Sequence, residues 1–414
     1  MTRTLRIVHT SDWHLGHVLK RQSRAYEHRA FLDWLLGQLE ELEADALLIA
    51  GDIFHTSNPS AAARRMFFDF IVELRDRVPG LTPVVIGGNH DSAAHLDAPD
   101  ALFAALGVKV VGGLCCTDDG YDVERALMPI RSGDEVVAWV AAVPFLRRSD
   151  LSASVTRENG HAAAVGHAYR AVLDRARDLR TGDQPLIAMG HATMMGITPS
   201  EDSERRVICG GEEALPTEIF GADVSYVALG HLHLAQAVGD HEHVRYSGSP
   251  IPLSMTEESY EHQVLVADFE GRELTQVEAL LVPRAVELVR FQHDEPLPID
   301  ETLEKLRTLS FPERPLEERP FLEVTVFLDR IEPNLSVEIR EALGDAAVRL
   351  VGIRSHRPAT ASTCLGDVVQ HLELSDLEPA HVFRLMHERA HTTAPDEALM
   401  RAFAELERRV DEAV

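Results

Sequence analysis

Six short polar signatures close or follow apolar runs of strand length in this chain. Asp12-Trp13-His14 follows Leu5–Thr10, and Gly51-Asp52 follows Ala46–Ala50 with His55 close behind. Gly88-Asn89-His90-Asp91 follows Pro83–Ile86, and Gly190-His191 follows Leu186–Met189. Gly230-His231-Leu232-His233 follows Tyr226–Leu229, and Ser247-Gly248-Ser249-Pro250 follows Val244–Tyr246. Carboxylate, amide and imidazole side chains without thiolate suit Mn²⁺ or Fe²⁺, with Zn²⁺ also compatible. Two such ions roughly 3.5–4 Å apart clamp a phosphate for displacement and make hydroxide available at neutral pH. A lone DxH or GD is a common accident of sequence. The ordered set DxH, GD, GNHD, GH, GHxH is not.

Residues so far apart in sequence need a scaffold that gathers them. In an α/β sheet, ligands collect outside the carboxyl ends of the strands. Alternation along an extended segment predicts that Asp12 and His14 share one side. The same rule lets His231 and His233 flank a metal pair. The glycines before Asp52, Asn89, His191 and His231 fit sharp strand-to-loop turns. The first ~280 residues alternate strand-like and helical runs; Phe31, Leu32, Leu35, Leu36, Leu39 and Leu42 recur at helical spacing, and His161–Arg180 also reads as a helix. Strands separated by helices predict an α/β domain. Beyond Pro283, strands at Ala285–Phe291, Phe321–Phe327 and Val348–Ile353 alternate with helices at Asp300–Leu309 and Leu335–Leu343. Prolines punctuate that stretch, which predicts a small α+β unit. The end of the chain is polar and helical, with Leu399, Phe403, Leu406 and Val410 on one stripe and Val382, Phe383 and Met386 in a second apolar patch.

The 414 residues are 45% hydrophobic, enough for two or three domains. Cys115, Cys116, Cys209 and Cys364 show no CxxC spacing, so neither a disulfide framework nor a cysteine zinc site is expected. No apolar run approaches membrane-spanning length and the first segment is too short for a signal core, so a cytoplasmic location is expected. The net charge of −27 opposes nucleic-acid binding. Metal ions would offset the acidic ligands locally, and a partner could supply a basic groove. Candidate phosphate contacts are Lys20, Arg21, Arg24, Arg64-Arg65, Arg147-Arg148 and Arg205-Arg206.

The full motif set resembles the calcineurin-like metallophosphoesterases. Longer stretches narrow the likeness: His9 to Gly16, Ala50 to Phe54, Gly87 to Ser92, Ala228 to His233 and Val244 to Leu253 are similar to the SbcD-type double-strand-break repair nucleases. The likeness is specific over the first 255 residues and one of layout beyond them. It implies a calcineurin-like β-sandwich flanked by helices over 1–282, an α+β capping domain facing DNA over 283–360, and a helical tail over 361–414 docking an ATPase.

Carried over by position, the resemblance implies that Asp12, His14 and His233 hold one divalent metal ion, most readily Mn²⁺. Asn89, His191 and His231 hold the other, and Asp52 bridges both. His90 matches the family's catalytic histidine, assisting the leaving oxygen. His55 stands where some relatives carry an aspartate that orients that histidine. Asp91 supports the turn, while Trp13 and Phe54 pack in the core. The implied activity is 3'-5' exonuclease and single-strand endonuclease cleavage of DNA in repair, recombination and replication. The implied assembly is a homodimer joined to an SbcC-type, SMC-like ATPase in a heterotetramer. A second reading uses the same ligands on a small phosphoester or nucleotide, which the acidic charge favours. A third is a non-catalytic scaffold, which the full ligand set disfavours.

Overall fold

The computed structural model describes residues 4–117, 120–198, 214–292, 294–329 and 332–356, with Phe383, His387, Pro395, Leu399, Met400 and Phe403 beyond them. The chain divides into two compact units, Met1–His356 and Arg357–Val414. In the second unit Leu399 and Phe403 are helical, and the Phe383 and Phe403 rings stack with centroids 4.3 Å apart. Leu406, Val410, Val382 and Met386, with Arg205-Arg206, Cys209 and Cys364, lie outside the described residues.

Two six-stranded sheets form the centre of the first unit. One runs, edge to edge, Glu273–Leu281, Gln263–Glu270, Leu5–Thr10, Ala46–Ala50, Thr82–Ile86, Lys109–Val111. Its last four strands are mutually parallel, while Gln263–Glu270 is antiparallel to both neighbours. The other runs Gln236–Val238, His241–Tyr246, Tyr226–Gly230, Leu186–His191, Glu135–Ala142, Leu127–Ser132, parallel through its four inner strands.

Strand alternation assigns each side chain to a layer. Ile7, Leu48, Val84 and Ile86 from the first sheet share one buried cluster with Ile187, Met189, Tyr226 and Ala228 from the second. Their neighbours Val8, Leu47, Ile49 and Val85 face outward into a cluster with the helices Ala25–Glu41 and Ala61–Arg77. Ala188, Val227 and Leu229 face out against the helix His161–Leu179. The result is a sandwich with helices on both outer faces. It exists because the strands in the middle of it carry mainly apolar side chains on both faces. Phe31, Leu35 and Leu39 lie along the covered stripe of Ala25–Glu41, each burial stabilising by roughly 1.5–3 kcal/mol.

The helix Ala61–Arg77 is an addition to the expected elements, with Ala63, Phe67, Phe70, Ile71 and Leu74 buried at helical intervals. Ser60 caps it, its hydroxyl accepting from the Ala63 amide at 3.2 Å. After Pro283 a third sheet appears. Its strands Leu288–Phe291, Leu297–Pro298 and Arg349–His356 all pair parallel with Phe321–Phe327. The helices Ile299–Thr308 and Leu335–Leu343 cover it through Leu303, Leu306, Ile339 and Leu343. A separate cluster of Leu19, Met255, Val286, Leu288 and Phe321 ties this sheet to the loops of the sandwich.

Candidate metal centre

The parallel strands of both sheets end at one edge of the sandwich, and there the polar signatures converge. Asp12, Asp52 and Asn89 follow three neighbouring strands of the first sheet; His191 ends, and His231 follows, two neighbouring strands of the second. One ligand atom from each of Asp12, His14 and His233 lies within 4.8 Å of the others, and the same holds for Asp12, Asp52 and His191. Asn89 Oδ1 is 2.9 Å from His191 Nε2 and 3.1 Å from His231 Nδ1. His191 Nε2 is 3.5 Å from Asp52 Oδ1, and His14 Nε2 is 3.4 Å from Asp52 Oδ2. All seven expected ligands therefore sit around one point.

The route to that convergence differs from simple strand alternation. Asp12 and His14 are not extended; their φ angles are 55° and 46°, and Asp52 has φ 50°. Left-handed backbone at non-glycine residues costs roughly 1–3 kcal/mol each and persists only where surroundings hold it. Here the two loops hold each other. The Asp12 amide donates to Gly51 O at 3.0 Å, His14 to Asp52 O at 2.9 Å, and Leu15 to Ile53 O at 2.9 Å. The Asp12 carboxylate in turn accepts from the His231 amide at 3.0 Å. Gly88 and Gly230 are required for close approach rather than for a turn. A Cβ on Gly88 would strike the Asp52 carboxylate, and one on Gly230 would strike the Ala50 carbonyl.

Asp91 is the buried support of the site. Its carboxylate accepts from the amides of Ile53 at 3.1 Å, Phe54 at 2.9 Å and Gly88 at 2.9 Å. It thus joins the loop of Asp52 to the loop of Asn89 and His90. His90 is partly exposed, and its Nδ1 donates to the backbone carbonyl of His55 at 2.9 Å. His55 Nδ1 is 3.5 Å from His14 Nδ1, and its ring lies 5.6 Å from that of His90. His14, His55 and His90 form a further group close enough to hold an ion.

The electrostatics call for positive charge. Burial favours the neutral acid at Asp52, yet His191 and His14 outweigh it and hold that carboxyl well below the usual carboxylate range. Burial pushes the Asp12 carboxyl up to about 6 against the pull of His191 and His233. Burial disfavours imidazolium at His191, but Asp52 and Asp12 reverse this and raise it to about 9. The same contest at His233, won by Glu257, raises it to about 9. Burial holds His14 well below its ordinary value, and burial with the His191 charge lowers His231 to about 3. The Nε2 atoms of His14 and His231 are buried without hydrogen-bond partners. Buried polar atoms normally find partners, and a lone pair left over among carboxylates suits a cation. The donor set therefore fits divalent metal.

Several neighbours were not marked by motif. Glu257 is buried with Oε1 3.0 Å from His233 Nδ1. His28 Nε2 donates to the Trp13 carbonyl at 3.0 Å, and Trp13 itself is wholly buried against Phe31, Phe67 and Phe70. Arg147 donates to the Asp91 carbonyl at 2.8 Å and stacks on Phe145. Arg24, expected as a phosphate contact, is withdrawn from any substrate. It is fully buried, bonded to Glu27 at 2.5 and 2.6 Å, and lies over the Phe321 ring. Lys20, Arg21, Arg64, Arg65 and Arg148 are exposed.

Comparison with known families agrees with this geometry. Residues 5–235 match the calcineurin-like phosphoesterase family model, and residues 282–391 match the type 5 capsule protein repressor C-terminal domain. The chain is 40% identical to the SbcD protein of the SbcCD nuclease from Rhodobacter capsulatus over 363 residues, covering 86% of this chain and 89% of that one. It is 40% identical to the SbcD protein of Escherichia coli K12, covering 67% and 68% of the two chains. Against the SbcD protein of Bacillus subtilis it is 34% identical, covering 67% and 70%.

Proposed function

Because the chain belongs to the calcineurin-like phosphoesterases, in the branch of the SbcD proteins of SbcCD nucleases, we propose that it is a metal-dependent DNA nuclease. We assign it 3'-5' exonuclease and single-strand endonuclease activity in DNA repair, recombination and replication. The observation that carries this reading is the convergence of Asp12, His14, Asp52, Asn89, His191, His231 and His233 around one point. Asp12, His14 and His233 would hold one ion, Asn89, His191 and His231 the other, with Asp52 between them. Mn²⁺ suits this hard oxygen and imidazole set. When bound, the pair supplies charge neutralisation for a phosphodiester and acidifies the attacking water.

The chain's own part is orientation and a proton. The His55 carbonyl fixes the His90 ring with its proton on Nδ1, leaving Nε2 for the substrate. In the doubly protonated ring, as water oxygen bonds to phosphorus and the P–O bond to the leaving oxygen breaks, the Nε2 proton passes to that oxygen while the attacking water releases a proton to solvent. His90 then regains its proton from solvent. The division of labour follows the same reading: 1–282 cuts, 283–360 caps the DNA groove, and 361–414 docks an SbcC-type ATPase within a dimeric heterotetramer. That partner would contribute the positive surface that a charge of −27 denies this chain. Among the described residues no helix is long and apolar enough to cross a membrane.

The test is cleavage of labelled linear and hairpin duplex DNA with Mn²⁺, with and without the ATPase, beside His90→Ala. Cutting that disappears in the variant while Mn²⁺ binding survives supports the assignment. Turnover of a small phosphodiester with every DNA form left intact would transfer it to the small-substrate reading, which the acidic charge favours.

A further inference from the structure

We propose that Glu257 is a positioning residue for the metal centre, acting through His233; this rests on the reading of His233 as a ligand. A carboxylate only accepts, so the 3.0 Å contact from Glu257 Oε1 places a proton on His233 Nδ1. The lone pair for a cation is then on Nε2, and the plane of the ring is set. Histidine ligands commonly have such a partner, and removing it typically weakens metal affinity by about 10- to 100-fold.

Glu257 is itself held in place. Its residue is only 4% exposed, and its second oxygen accepts from the Leu253 amide at 2.7 Å. It lies in the 3-10 turn Met255–Ser259, which Ser254 caps through the Thr256 amide at 3.2 Å. Met255, at the start of that turn, is buried with Val286, Leu288 and Phe321 of the third-sheet region. One short turn therefore carries both a carboxylate fixed on a metal-site imidazole and a methionine fixed under the third sheet. The neighbouring Ser247-Gly248-Ser249-Pro250 motif gains a purpose from this arrangement. The amide of Ser249 donates to the His233 carbonyl at 3.1 Å, which ties the same loop to the backbone of the ligand.

The experiment is Mn²⁺ titration of the metal-free full chain, counting free Mn²⁺ by electron paramagnetic resonance. It compares wild type, Glu257→Ala, Glu257→Gln and His233→Ala, with thermal unfolding of each. The expected result is that Glu257→Ala weakens one of two sites by about 10- to 100-fold and leaves the other unchanged. Glu257→Gln falls between, because its one carbonyl oxygen serves His233 or Leu253 but not both. If Glu257→Ala does not fold, the glutamine variant decides alone. Either variant, when folded, binding two Mn²⁺ with wild-type affinity overturns the proposal. So does equal weakening of both sites, which is the mark of a merely structural role. His233→Ala with both sites intact, or wild type that binds no Mn²⁺, would instead defeat the underlying ligand assignment, and Glu257's role with it.

Discussion

His90 is anchored by a main-chain atom of His55: Nδ1 to carbonyl oxygen, 2.9 Å, with the two rings stacked at 23°. The side chain of His55 is not what holds the proposed acid in place. This separates the two histidines that motif position alone groups together as catalytic.

His90→Ala is therefore expected to lower turnover by about 10²–10⁴-fold, the usual range for a lost general acid, with Mn²⁺ binding kept. His55→Ala keeps the carbonyl and should cost roughly tenfold or less, about 1.4 kcal/mol. Steady-state cleavage rates beside metal titration decide the matter. Equal losses in the two variants would mean that the His55 imidazole acts on the substrate directly.

Removing Asp91 should unfold the site rather than merely slow it. Asp91→Ala strands the buried amides of Ile53, Phe54 and Gly88. Each unsatisfied donor costs about 1–3 kcal/mol, so a total on the order of 3 kcal/mol or more is expected in urea unfolding. Asp91→Asn retains one acceptor oxygen and should cost less. A variant with wild-type stability would show that water replaces the carboxylate.

Metal should stabilise the fold, because the ligands come from strands that only the native sandwich brings together. Binding to the native state alone adds about 2.7 kcal/mol at 100 times the Kd. Chelation should lower the unfolding temperature, and Mn²⁺ should restore it. Asp52→Asn, which weakens the central carboxylate, should abolish most of the response. A melting temperature indifferent to both chelator and Mn²⁺ would contradict the assignment.

Acid should destabilise the chain partly through His28. Burial, aided by the charge of Arg24, lowers this imidazole to about 3, against an ordinary value of 6.5. The unfolded chain takes up a proton below pH 6.5 that the folded chain refuses. Its contribution is thus fully present above pH 6.5 and is lost as pH falls from there toward about 3. His28→Gln, which can still donate to the Trp13 carbonyl, should flatten the stability curve between pH 6.5 and 4. An unchanged slope in urea melts across that interval would remove His28 from the account.

Much of this was determined by the sequence on its own. Runs such as Leu5–Thr10, Ala46–Ala50 and Phe321–Phe327 became strands with those bounds, because a strand buried on both faces is built mainly from apolar side chains. The residue types at 12, 14, 52, 89, 191, 231 and 233 pointed to metal chemistry, since carboxylate, amide and imidazole donors suit divalent ions, and the structure brings these seven together. The helix Ala61–Arg77 is equally legible, because Ala63, Phe67, Phe70, Ile71 and Leu74 recur at helical spacing.

Tertiary structure alone decided the rest. Nothing local makes Asp12, His14 and Asp52 left-handed; the backbone bonds between their two loops do, across about forty residues. Nor does spacing mark Glu257 as the partner of His233, or reveal that Arg24 is sealed against Glu27 and Phe321 and lost to substrate. These depend on which groups are packed against each other and cut off from water. Short-range periodicity records which face of an element is covered, but the identity of the covering group enters only when distant segments meet.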